Sequence, residues 1–174
     1  MLPDPLHPAV VHFPIVLTFL LPLAALGALW HGRRYPRARG AWILTTALAG
    51  ALTASAWLAV QTGERDEEGV EQVVPEAALE GHEEAAERFL LLSAGVLLVA
   101  GAGLLRGRIG TAARLVTTAG AFGLVVAGAL VGHSGGELVY RHGAAAAHTP
   151  GNPGPGEGHR EIDLGHAERV SRED

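Results

Sequence analysis

The sequence predicts an all-α fold, a four-helix transmembrane bundle of up-down topology with both termini on the extracytoplasmic side. Three observations carry this. Apolar residues reach 48% of 174 residues and fall in four blocks; the blocks are almost free of ionisable groups; and arginines fill the two short connections between them. A chain of this length suits one domain.

The blocks run Val10 to Trp30, Ala41 to Val60, Phe89 to Leu105 and Leu115 to Gly132. Each is close to the roughly 20 residues that cross a hydrocarbon core as a helix. His12, near the start of the first block, is the one ionisable residue in any of them. In lipid a backbone must satisfy its own hydrogen bonds, so helices are expected, and strands of a β-barrel would alternate polar with apolar residues as these blocks do not. The first block is expected to be a retained helix rather than a signal peptide. Its leader carries Asp4 and no basic residue, and its apolar run is too long for a signal core.

Orientation follows from charge. Arg33, Arg34, Arg37 and Arg39 lie between the first two blocks, and Arg106, Arg108 and Arg114 between the last two, with no acid in either connection. Short Arg-rich loops stay cytoplasmic, so the reading is a multi-pass protein of the bacterial inner membrane. The N-terminus, a long acidic loop before Phe89 and the C-terminal segment then face outward. Trp30, Trp42 and Trp57 are expected at the membrane interfaces. The bundle domain is read as 1–143, and the segment 144–174, rich in Gly and Pro, as a flexible tail with no core of its own.

Composition removes several chemistries. The absence of cysteine excludes disulfides, thiolate metal sites, iron–sulfur clusters and covalent haem attachment, leaving histidine and carboxylates as strong ligands. All 13 basic residues are arginine, the net charge is −5, and no basic surface interleaved with aromatics suggests a nucleic-acid partner. No hydrolase or transferase motif is present. Gly128 with Gly132, and Gly50 with Ala54, are small-residue pairs expected to let helices pack closely within the bundle.

Eight of the nine histidines fall at or beyond the outer face, about the share chance gives, because the outer segments hold most of the non-membrane chain. Position is more informative than number. His7 and His12 bracket the start of the first helix, with Pro8 suited to its first turn. An imidazole at the depth of His12 needs a partner in the bundle, a wet cavity or a nearby carbonyl. His82 precedes the third helix among acids that also favour a helix N-terminus. His133, Tyr140 and His142 surround the fourth helix end, where Gly135 and Gly136 are expected to stop the helix.

The opening HPAVVHFPIVL (His7 to Leu17) and the closing GHSGGELVYRHG (Gly132 to Gly143) resemble the end motifs of a bacterial four-helix membrane-protein family of unknown function. The resemblance covers residues 5 to 143. By motif match it singles out His7, His12, His133 and His142, while His82 lies outside both motifs. Members of that family occur alone or fused to c-type cytochrome domains, which implies a redox setting.

Three functions compete. One is electron transfer through a b-type haem, with His12 and His133 as axial ligands from neighbouring helices, His7, His82 or His142 at a second site or at the propionates, and Arg141 pairing with a propionate; an extracytoplasmic c-type cytochrome would be the partner. Another is a bare Zn, Cu or Fe ion held by imidazoles, with Glu83, Glu87 or Glu137 as carboxylate ligands and His12 and His133 as the core pair. The third is a non-catalytic membrane subunit that docks a periplasmic or membrane partner. The charge pattern makes a topological prediction. A single cysteine introduced at Leu2 should react with a membrane-impermeant thiol reagent in spheroplasts, whereas one at Arg108 should react only after permeabilisation; the reverse pattern contradicts the orientation.

Overall fold

Prolines shape the first membrane crossing. In a computed structural model, which describes residues 6–35, 40–70 and 74–144, the crossing consists of a short helix α1 (His7–Val10) and α2 (His12–Arg34). Pro8 occupies the first turn of α1, where its missing N–H is no loss. Pro14 has no N–H to give the Val10 carbonyl, so the ladder is interrupted there, but Val11 keeps right-handed helical angles and the two pieces continue in one direction. Farther along, α3 spans Gly40–Val70, α4 Glu76–Ala102 and α5 Gly107–Tyr140.

These helices outrun the apolar blocks. At 1.5 Å per residue the 34 residues of α5 reach about 51 Å and the 31 of α3 about 46 Å, against roughly 30 Å of hydrocarbon. Two expectations are corrected as a result. Much of the acidic segment read as a long loop is helical, because α3 runs on to Val70 and α4 begins at Glu76, thirteen residues before Phe89. Glu and Ala favour the helix in this stretch, and Arg88 pairs with Glu84 one turn away on the exposed face. Nor do Gly135 and Gly136 end the last helix, which continues to Tyr140. Apolar contacts hold this extension in place: Val74, Leu79 and Leu138 form a small buried cluster, with Ala78 and Ala144 against it.

Neighbours in the chain are neighbours in space. α2 packs on α3 and α5, and α4 on α3 and α5, while among the described residues the backbones of the diagonal pairs stay apart. That is a square up-down bundle, as the sequence predicts. Its interior is built from Leu21, Ala49, Leu52, Ala56, Phe89, Ala100, Ala121 and Leu124. Large apolar side chains such as Phe13, Phe19, Leu23, Leu91, Leu98, Val126 and Leu130 face outward. A surface of this kind is stable in lipid, where outward apolar groups have no water to avoid. All four crossings are long and apolar enough to span a membrane. Of the expected close-packing pairs, Gly128 lies against Phe89 and Thr18 inside the bundle, whereas Gly132 is exposed. The C-terminal tail read from the sequence lies outside the described residues, apart from Ala144.

At the arginine-bearing end one aromatic departs from its expected place. Trp30 and Trp57 are exposed as interfacial residues should be, but Trp42 is 3% exposed. Its indole N–H donates to the Ala100 carbonyl at 3.0 Å, and the Arg114 guanidinium lies 5.5 Å from its ring while Arg114 Nε donates to the Gly103 carbonyl at 2.7 Å. Buried indoles need such a partner. Gly103 makes the arrangement possible, since a Cβ there would fall on the indole. Gly103→Val should therefore lower the melting midpoint of the detergent-solubilised protein, by an overpacking cost of about 1–3 kcal/mol. Gly101→Val, two residues earlier in the last turn of α4 with open space around its Cβ, should have little effect. Equal losses would contradict the clamp.

Candidate functional site

Two of the singled-out histidines enter the bundle, and they come from opposite hairpins. His7, on α1, reaches α3. Its Nδ1 lies 2.8 Å from the Ala59 carbonyl and 3.3 Å from Thr62 Oγ1. A carbonyl can only accept, so Nδ1 carries a proton, and in the neutral ring Nε2 holds the lone pair. His82, on α4, reaches α5, with Nδ1 2.8 Å from Ser134 Oγ. The Ser134 hydroxyl already donates to the Val131 carbonyl at 2.9 Å, so its oxygen accepts from His82 Nδ1–H, and here too Nε2 bears the lone pair.

Glycine makes room for each ring. A Cβ on Gly63 would stand 3.3 Å from His7 Cε1, and one on Gly135 would stand 3.1 Å from His82 Cε1. Both values are tighter than side chains ordinarily tolerate. This close approach accounts for Gly135 better than the helix stop expected from the sequence, because an imidazole occupies the space that its missing side chain leaves.

The two imidazoles sense each other. The His82 ring is held below the ordinary histidine value of 6.5, first by burial and then by the charge that His7 can carry, with a hydrogen bond to the Val131 backbone opposing both. His82 precedes the apolar run by two turns, so it belongs to the part of α4 that projects from the membrane. Along α4 it stands one turn beyond Leu79 of the small outer cluster and about 10 Å above Phe89 of the main core. The pair is thus a polar layer between two apolar ones.

The remaining candidates are placed otherwise. His12 is exposed, and its Nδ1–H donates to the Pro8 carbonyl at 2.8 Å, the nearby-carbonyl alternative for that residue. His133 is exposed on α5, 3.9 Å from Glu137. Arg141 pairs with the same carboxylate at 2.7 Å. His142 is half-buried just beyond α5. The structure thus places His7 and His82 within electrostatic reach of each other and leaves His12 and His133 on the outer surface of α2 and α5. Among the described residues no three His, Asp or Glu side chains cluster at metal-binding spacing. Thr62, Gly63 and Ser134 are members of the site that the sequence reading gave no role. The signal available for them was a hydroxyl followed by glycine, Thr62-Gly63 and Ser134-Gly135, near the end of each returning helix.

Comparison with known proteins agrees with this architecture. The family model described as predicted membrane protein (DUF2231) matches residues 3–148. The chain belongs to that family. No curated protein and no solved structure is significantly similar to it. The DUF2231 match takes in all four crossings and both imidazoles of the layer, and ends within the first few residues of the segment rich in Gly and Pro.

Burial of His82 in its neutral form links the site to pH. A histidine whose folded value is depressed stabilises the fold fully above its unfolded value, and that stability is lost as pH falls below about 6.5 towards the folded value. The melting midpoint of the detergent-solubilised protein should therefore drop as pH is lowered from 7 to 5. His82→Gln, which cannot charge, should flatten that drop. An unchanged drop in the variant would show that other groups carry it.

Proposed function

We propose that this protein is a metal-binding membrane component in which His7 and His82 ligate a d-block ion through Nε2. The observation that carries this reading is the shared state of the two rings. Each gives its Nδ1 proton to a fixed acceptor on a neighbouring helix, the Ala59 carbonyl in one case and Ser134 Oγ in the other. Ligating histidines are oriented in this way, with the distal N–H bonded to a carbonyl, hydroxyl or carboxylate so that the other nitrogen is basic and aimed. Imidazole donors without thiolate suit Zn, Cu and Fe. Water or an exogenous ligand would complete the coordination.

A bare ion suits the layer better than the haem iron that the sequence also suggested. Leu79 and Leu138 close one side of the layer and Phe89 the other. The backbones of α3 and α5 lie directly against the rings at Gly63 and Gly135. A porphyrin, far wider than an imidazole, would have to part these contacts. The pair His12 and His133, on which a haem between the first and last crossings depends, faces outward instead. If the arginine-rich connections are cytoplasmic, the site lies near the extracytoplasmic face, where a copper or iron ion could exchange one electron with a periplasmic cytochrome.

Purified protein, dialysed against a weak chelator and assayed by elemental analysis, should retain zinc, copper or iron. His7→Ala and His82→Ala should each reduce that retention at least tenfold, while His12→Ala and His133→Ala leave it unchanged. Retention that survives the first two variants and fails in the second two would overturn the assignment. A reducible Soret band in haem-supplied protein would replace the bare ion with haem.

A further inference from the structure

The two hairpins of the bundle match one another at a series of buried positions. A shift of 75 residues carries His7 onto His82, Thr18 onto Ser93 and Ala25 onto Ala100, and a shift of 72 carries Thr45-Thr46 onto Thr117-Thr118, Ala49 onto Ala121, Leu52 onto Leu124 and Gly63 onto Gly135. Their burial repeats as well. Thr18 and Ser93 are buried hydroxyls on the first helix of each hairpin, and Thr45 and Thr117, Ala49 and Ala121, and Leu52 and Leu124 are buried pairs on the second. The packing follows the same rule, for exchanging α2 with α4 and α3 with α5 returns the same set of helix neighbours.

The repeat extends to single hydrogen bonds. The shift of 72 carries Ala59 onto Val131 and Thr62 onto Ser134. His7 lies against the Ala59 carbonyl and Thr62 Oγ1, and His82 against the Val131 backbone and Ser134 Oγ. In each copy the hydroxyl donates to the same carbonyl three residues earlier, at 3.0 Å for Thr62 and 2.9 Å for Ser134. In each copy the three atoms nearest the glycine are the ring's Cε1, then Nδ1, then Nε2. Two rings in one pose, each held by its own hairpin and near enough for the charge of His7 to act on His82, fit a twofold relation between the hairpins.

We infer that the bundle is a tandem duplication of a two-helix hairpin, and that the ion ligated by His7 and His82 is a single one, seated on the pseudo-twofold axis with one imidazole from each copy. This rests on the reading of the pair as metal ligands and adds to it the stoichiometry and the equivalence of the two halves. An axial position also selects the class of ion. Two equivalent neutral nitrogen donors match the low coordination number of Cu(I), whereas Zn(II) would need two further ligands to reach four.

The test is titration of the full-length, detergent-solubilised protein with Cu(I) held in a competing chelator, with Zn(II) as the second probe. One Cu(I) per chain is expected, bound more tightly than Zn(II). Thr62→Val and Ser134→Ala each remove one hydroxyl next to a ring and leave both imidazoles in place. Ser134→Ala removes the acceptor of the His82 Nδ1 proton and should weaken binding about 10–100-fold, as loss of an orienting partner does, whereas Thr62→Val leaves the Ala59 carbonyl to hold His7 and should weaken it less. His7→Ala and His82→Ala should each abolish the site rather than halve it, in variants whose circular dichroism and elution volume match the parent. Two ions per chain, each lost with one histidine, would overturn the axial site and leave metal binding by these residues intact. A larger loss in Thr62→Val than in Ser134→Ala would refute this assignment of the two acceptors. Binding of neither probe to the parent protein would overturn both the axial site and the metal-binding reading. Tighter binding of Zn(II) would overturn the choice of Cu(I).

Discussion

The arrangement depends on satisfying two imidazole N–H groups inside a bundle that offers little water. An unpaired polar group buried in apolar surroundings is expensive, and near a bilayer the alternatives to an internal partner are few. His7 and His82 resolve this by bonding to acceptors on a neighbouring helix, one a main-chain carbonyl and the other a serine oxygen that its own helix orients. Those bonds dictate the rest of the local structure. They require the returning helices to extend past the apolar blocks, they require glycine where the rings touch the backbone, and they fix which nitrogen of each ring holds the lone pair.

The extension of the helices has its own logic. An acidic, alanine-containing stretch forms helix readily, but an isolated projection would fray. Here Val74, Leu79 and Leu138 tie the projecting ends together and cover the polar layer. At the other end of the bundle, Trp42, Gly103 and Arg114 lock the second hairpin onto the first. The bundle is therefore fastened by specific polar contacts at both ends and by small-residue and leucine packing between them, which suits a membrane protein whose helices gain little from the hydrophobic effect.

Most of the fold was legible in the sequence because bilayer thickness acts as a ruler. Four uncharged blocks of the right length leave few alternatives, and short connections impose antiparallel neighbours. The helix ends were less legible, since hydropathy marks where lipid stops and not where hydrogen bonding stops. Gly135 and Gly136 looked like a terminator because glycine weakens an isolated helix; only the presence of the His82 ring against Gly135 explains why the helix continues. The site was half legible. Motif position drew attention to His7 but also to His12 and His133, His82 stood out only by its place before the third helix, and the sense in which each ring faces depends on helix rotation that the apolar blocks do not encode. Trp42 was misplaced at the interface for the same reason.

The central claim is that each ring donates from Nδ1 to a fixed acceptor and turns Nε2 towards the ion. Histidine nitrogen chemical shifts measure this directly. In metal-free protein labelled with nitrogen-15 and held at pH 7.5, with assignments confirmed by single-histidine variants, the account predicts the Nδ1–H tautomer for both His7 and His82. Nε2–H tautomers, or rapidly averaging shifts like those of solvated histidines, would contradict it.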